Sequence, residues 1–299
     1  AERRAPVGVS GMGAVSALGV GLPATVSGLY AEPGCPVLPS RFATTLSAPV
    51  FEVPRLAATP DHPGGLTDQM LLLALDEALA QAGLDPAALQ GKAVGVCIGT
   101  TVACQLNHIP FYAELRTGVR PDPKPLRNYV DGLPAEWLRR ELGLRGPALT
   151  ISNACTSGAD AIGIALWWIR RGLCDIAIAG GADEMNQVPY DGFNALGVCS
   201  SERCRPFDAR RAGLNLGEGA GVVILESKTH GLRRSAPCRW EAAGFGKAAD
   251  AFHITQPAPD GAGLERAIRL ALDDAGMTPE AVAFVNAHGT GTEANDRVE

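Results

Sequence analysis

An α/β fold whose sheet is covered on both faces is predicted from three observations. Strand-like runs such as "AVGVCIGT" (93–100) and "DIAIAGGAD" (175–183) are near-continuous in small and β-branched apolar residues. They alternate with segments of helical period. At 299 residues, 46% hydrophobic and 19% charged, the chain can bury a sizeable core and exceeds one typical domain, so two halves are expected.

Taken in order, "VGVSGMGAV" (7–15) reads as strand and turn, and "TDQMLLLALDEALAQAGL" (67–84) as an amphipathic helix with Thr67 as its N-cap. After the buried strand at 93–100, the stretch 101–147 is Pro-studded and reads as loop-rich. "PALTIS" (147–152) is a strand, "TSGADAIGIALWWIRRG" (156–172) a helix, 175–183 a buried strand and "GAGVVILES" (219–227) a further strand. The first half thus runs over 1–232. A second begins near Arg239 with a weak strand, "RWEAAGFGK", then a helix over 261–276 and a strand over 281–290. Residues 239–299 fall short of the ~100 to 150 residues usual for a self-sufficient domain. The expectation is that chain is missing after Glu299 or that another chain completes this half; the first residue is Ala, so the sequence need not begin where its gene does.

Net charge is −6 with scattered Lys and Arg, which disfavours nucleic acid and anionic membrane as partners. Nothing approaches the ~20 apolar residues of a spanning helix, and "AERRAPVGVSGMG" lacks a signal-like apolar region, so a cytoplasmic protein is expected. Eight cysteines without a CxxC pair fit reduced thiols better than disulfides or a zinc site, and no metal is expected.

Cys155, in "ISNACTSGADAIG" (151–163), stands at a strand-to-helix junction. The positive end of the helix dipole favours thiolate there, and free N–H groups could bind an oxyanion. The small residues around it allow a tight turn that exposes the sulfur; a packed core cysteine is the alternative. In "NAHGTGTEAND" (286–296), His288 leaves a strand into a Gly-Thr-Gly-Thr loop, projecting an imidazole and two hydroxyls from one rim. "SGMGAVSALG" (10–19), with Glu32 about twenty residues on, has the look of a dinucleotide turn but carries Ser16 where the third glycine belongs. "GLNLGEGAG" (213–221) lacks a Walker lysine and reads as a close-packing segment. Arg203, Arg205, Arg210 and Arg211 either steer an acidic partner or form local salt bridges around Asp208.

"NACTSG", "CRPFDARRAGLNLGEGAGVVILES" (204–227), "DAFHITQPAPDGAG" (250–263) and "NAHGTGTEAND" together resemble the elongating β-ketoacyl-acyl carrier protein synthases, in that family's order. The resemblance implies the thiolase fold, two stacked α/β halves in five layers, with the second half incomplete here. It implies decarboxylative condensation of an enzyme-bound acyl group with malonyl-acyl carrier protein, in fatty acid, polyene or polyketide synthesis. Cys155 matches the nucleophile and His288 the first of two catalytic histidines. Thr290 and Thr292 match hydroxyls on the phosphopantetheine arm, Thr255 is assigned to the same tunnel, and Phe193 to the acyl pocket. Asp296 is assigned to holding the loop, and Glu293, where many relatives carry Pro, to solvent. The second histidine, a lysine and a Gly-Phe-Gly segment of the family fall beyond Glu299. No cofactor is implied beyond the carrier's phosphopantetheine. The implied partners are acyl carrier protein and either a second copy or a chain-length-factor-like subunit. The alternatives are a truncated or non-catalytic partner subunit, which Cys155 argues against, and a degradative thiolase, which lacks the "AHGTGT" loop.

Overall fold

The computed structural model describes residues 5–31, 34–56, 65–101, 109–131 and 133–299; Glu32 and Cys104 lie outside them. From the N-terminal side come β1 (Val7–Ser16), the two-residue β2 (Gly19–Val20), α1 (Leu22–Tyr30), α2 (Leu66–Ala82), the single turn α3 (Pro86–Leu89) and β3 (Val94–Gly99). Three short helices follow, α4 (Ile109–Arg116), α5 (Lys124–Asp131) and α6 (Pro134–Glu141). Then come β4 (Ala148–Ile151), α7 (Ser157–Arg170), β5 (Ile176–Asp183), α8 (Gln187–Ala195), β6 (Gly219–Ser227), α9 (Lys228–Arg233), β7 (Trp240–Ala242), α10 (Ala262–Ala275) and α11 (Glu293–Val298).

The strands form one mixed sheet in the order β2-β1-β6-β5-β3-β4, with β7 also paired to β1. β3 runs parallel to β4 and β5, while β6 is antiparallel to both β5 and β1. Every residue of β3 is buried because both sheet faces are covered. Val94, Val96 and Ile98 face Met70, Leu71, Leu75 and Leu79 of α2, together with Ile178 and Ile224. Cys97, Ala177, Ala179 and Leu225 face the opposite way, against Ala161, Ala165, Leu166 and Ile169 of α7. The period-2 alternation of a strand therefore feeds two cores, which is why its sequence shows no polar alternation.

The glycines of "SGMG" belong to this packing. A Cβ on Gly11 would lie 2.0 Å from the Ala78 carbonyl oxygen, and one on Gly13 1.9 Å from that of Ala74. They let α2 rest directly on β1, so the dinucleotide-like spacing reflects strand-to-helix contact.

Three sequence expectations change. Thr67 is not the N-cap: the helix starts at Leu66 behind Gly65, whose φ is +63° and which has no side-chain cap, and the orphan N–H of Thr67 donates to Glu184 Oε2 at 3.1 Å. The Pro-studded 101–147 stretch contains α4, α5 and α6; Pro134 sits in the first turn of α6, where its missing N–H costs nothing. The expected strand over 281–290 is absent. That segment has no ladder partner among the described residues, and Val282, Phe284 and Val285 are exposed, the last two at 83% and 74%.

Candidate active site

β4 ends at Ile151 and α7 begins at Ser157, and the turn between them presents Cys155 to solvent. The turn is tight. Ala154 has a φ of +50°, a conformation that costs a non-glycine residue about 1 to 3 kcal/mol and persists only where its surroundings hold it. Ser157 supplies part of that hold: its Oγ accepts the Asn153 N–H at 2.7 Å and donates to the Ala154 carbonyl at 2.7 Å. Asn153 Nδ2 donates to Thr156 Oγ1 at 2.9 Å and to Asp160 Oδ2 at 2.8 Å. The turn can lie this close to the sheet because Gly99, at the end of β3, has no side chain.

The loop after residue 285 brings His288 to the sulfur. Its backbone N–H and that of Gly289 donate to Glu299 Oε1 and Oε2, each at 2.8 Å. The imidazole interacts with the Cys155 thiol, and this interaction, outweighing burial and the nearby Asp183 charge, lowers the thiol below its usual value. The same interaction, against burial, pushes His288 above the usual imidazole value. Both shifts favour thiolate beside imidazolium. His288→Ala is therefore expected to move the acid limb of Cys155 alkylation to higher pH and to slow alkylation near pH 7 about tenfold. An unchanged rate-pH profile would show that the imidazole does not govern the thiol.

The rest of the loop is anchored by contacts of its own. Thr290 Oγ1 and Thr292 Oγ1 lie 2.8 Å apart. Buried Asp296 accepts the Gly291 N–H at 3.1 Å and the Phe207 N–H at 2.7 Å, so it holds the loop as expected. The Gly213 N–H donates to the Gly291 carbonyl at 2.9 Å, which packs "GLNLGEGAG" against the threonine loop. Gly291, at φ +72°, leaves no room for a Cβ, which would fall 2.6 Å from Cys204 Sγ. Glu293 is exposed.

Other expected site residues make local contacts of their own. Thr255 sits in an exposed turn, where its N–H donates to His253 Nδ1 at 3.2 Å. Phe193 is half-buried near the end of α8. Arg205 pairs with Glu202 at 3.0 Å, Arg210 approaches Asp208 at 3.6 Å and Arg211 approaches Asp296 at 3.8 Å, so these three serve local contacts.

Sequence reasoning passes over two groups. Asp183, at the end of β5, accepts the Thr100 hydroxyl at 2.7 Å and both the N–H and hydroxyl of Thr101, tying down the end of β3 beside the site. Asp160 accepts Lys247 Nζ at 2.8 Å. The available signal for the latter is an acid within the otherwise small and apolar "GADAIG". Among the described residues no cluster of three His, Cys, Asp or Glu side chains is arranged for a metal, and no helix is long and apolar enough to cross a membrane.

This mixed sheet between helices, with the thiol-bearing turn at the end of β4, is the thiolase-like α/β class. The family models for the beta-ketoacyl synthase N-terminal and C-terminal domains match residues 66–231 and 241–299. The chain belongs to the beta-ketoacyl synthase family. It is 40% identical over 240 residues to nodulation protein E of Rhizobium meliloti, covering 77% of this chain and 57% of that protein. Among solved structures it is similar to the ishigamide ketosynthase/chain length factor, with a TM-score of 0.90, 34% identity, and coverage of 99% of this chain and 76% of that one. It is also similar to AntDE:AntF, a type II PKS acyl-carrier protein in complex with its ketosynthase, with a TM-score of 0.84, 28% identity, and coverage of 99% and 76%. The chain spans 57% to 60% of the length of the first four curated relatives it matches.

Proposed function

We propose that this chain carries the acyl-accepting site of a ketosynthase that performs decarboxylative condensation on carrier-bound substrates. The carrying observation is the Cys155 thiol, exposed beside the N-terminus of α7 and lowered by its interaction with His288. The thiol proton passes to His288, the sulfur attacks the acyl thioester carbonyl, and the Cys155 N–H is one donor to the oxyanion. Collapse releases the carrier thiolate, which takes up the proton, and leaves acyl-Cys155. Malonyl carrier protein then loses its carboxylate as CO2, and the C–C bond pair becomes an enolate whose oxygen accepts a hydrogen bond from His288. The enolate carbon attacks acyl-Cys155, the C–S pair returns to sulfur, and a 3-oxoacyl thioester two carbons longer leaves.

Thr290 and Thr292, with hydroxyls 2.8 Å apart on the loop of His288, are assigned to the phosphopantetheine arm, Thr255 to the outer end of the same path and Phe193 to the acyl pocket. On this reading residues 1–232 form the half with the nucleophile and 239–299 contribute His288 from the second half. The partners are an acyl carrier protein and a second ketosynthase copy or a chain-length-factor-like subunit, the kinds of partner found in the AntDE:AntF and ishigamide ketosynthase/chain length factor structures. The substrates arrive on the carrier's phosphopantetheine, no further cofactor takes part, and the setting is cytoplasmic.

The test is intact mass before and after incubation with an acyl thioester, followed by proteolytic mapping. One acyl increment on the peptide holding Cys155 is expected. No increment, with the carrier protein still bound, would replace this reading with a non-catalytic partner subunit.

A further inference from the structure

The nucleophile turn is braced from the second half of the chain. Asp160 lies one turn into α7, five residues after Cys155, with its side chain 4% exposed. Its Oδ2 accepts Asn153 Nδ2 at 2.8 Å and Lys247 Nζ at 2.8 Å, and Thr156 Oγ1 lies 3.4 Å away. One carboxylate oxygen thus ties together the residues two before and one after Cys155 and a cation from 87 positions along the chain. Asn153 is not free to move, because its N–H is committed to Ser157 Oγ, which also holds the carbonyl of strained Ala154.

A carboxylate this deeply buried is tolerated only with charge-assisted partners. Burial pushes the Asp160 carboxyl up, but hydrogen bonds from Lys247 and Asn153 win and hold it below the usual range. If Lys247 is lost, Asp160 must draw in water, take a proton or pull its remaining donors into new positions. Each outcome loosens Asn153 and with it the turn.

We propose that Lys247 and Asp160 form a clamp that positions the Cys155 thiol, so that docking of the 243–247 segment onto α7 sets the geometry for acyl transfer. The inference rests on the reading of Cys155 as the acyl acceptor. Lys247 is a positioning residue and touches no reacting atom; its side chain is 55% exposed, so replacing it leaves the core packing unaltered. Neighbouring contacts fix the segment independently, since Arg170 pairs with Asp274 at 2.7 Å, the Phe245 N–H donates to Asp274 Oδ2 at 3.0 Å, and the Phe245 ring stacks edge-on against Trp167 at 5.8 Å.

The experiment measures the single-turnover rate of acyl transfer to Cys155 at saturating acyl thioester, alongside Tm, for wild type, Lys247→Met and Lys247→Arg. Lys247→Met is expected to load at least about tenfold more slowly at saturation, an effect on rate and not on apparent affinity, with little change in Tm. Lys247→Arg, which keeps the cation, is expected to return to within about threefold of wild type. Wild-type loading by Lys247→Met overturns the clamp, as does equal slowing in both variants. Failure of the wild-type protein to load at all would instead remove the ketosynthase reading, so the two failures are distinct.

Discussion

Cys155→Ala is expected to abolish acyl loading, lowering the rate by at least about a thousandfold while leaving the fold intact. The sulfur is exposed, so its removal opens no cavity, and the turn is held by Asn153, Ser157 and Asp160 without it. Stability should therefore stay within about 0.5 kcal/mol of wild type. Cys155→Ser sharpens the test. A hydroxyl fits the same space, but its proton is held far more tightly than that of a thiol already lowered by His288, so it too should load poorly. The readout is intact mass after incubation with an acyl thioester. Normal loading of a folded Cys155→Ala protein would mean that another nucleophile carries the acyl group and that the reading of this turn is wrong.

Gly99→Ala is expected to combine the largest loss of stability with near-complete loss of acyl loading. A methyl group there would lie 2.2 Å from the Ser157 carbonyl carbon, 2.3 Å from its oxygen and 2.4 Å from the Gly158 nitrogen. All three are backbone atoms at the first turn of α7, so no rotamer change relieves the contact and the helix start must move. Overpacking of this kind costs about 3 kcal/mol, or a fall in Tm of roughly 5 to 10 °C. The displaced segment also carries the turn with Cys155, and a shift of about 1 Å in a reacting group can cost on the order of a hundredfold in rate. Thermal unfolding and the loading assay measure the two effects separately. A Gly99→Ala protein with wild-type Tm and rate would mean that α7 does not seat as closely on β3 as described.

The strands around the nucleophile are legible because a strand buried on both faces must be apolar throughout, as 93–100 and 175–183 are, while 147–152 and 219–227 also form strands although Leu149 and Gly221 are exposed. Cys155 at the head of a helix and His288 in a Gly-Thr loop were legible as chemistry-bearing residues because local pattern alone marks a helix start and a strand exit. The reading failed where local pattern and context diverge. The Pro-rich region hid α4, α5 and α6, because proline early in a helix breaks nothing. The 281–290 run has strand-like composition but no neighbour to supply its hydrogen bonds among the described residues.

By itself the sequence determined the alternation of elements, the doubly covered sheet and the identities of thiol, imidazole and paired threonines, since these follow from side-chain chemistry and short-range periodicity. Only the tertiary structure decided that His288 meets Cys155 across 133 positions, that glycines 11 and 13 seat a helix where a cofactor turn was conceivable, and that Asp160 and Lys247 brace the nucleophile. The reason is physical: these contacts depend on loop paths and on space left by absent side chains, and neither is encoded in the few residues around each group.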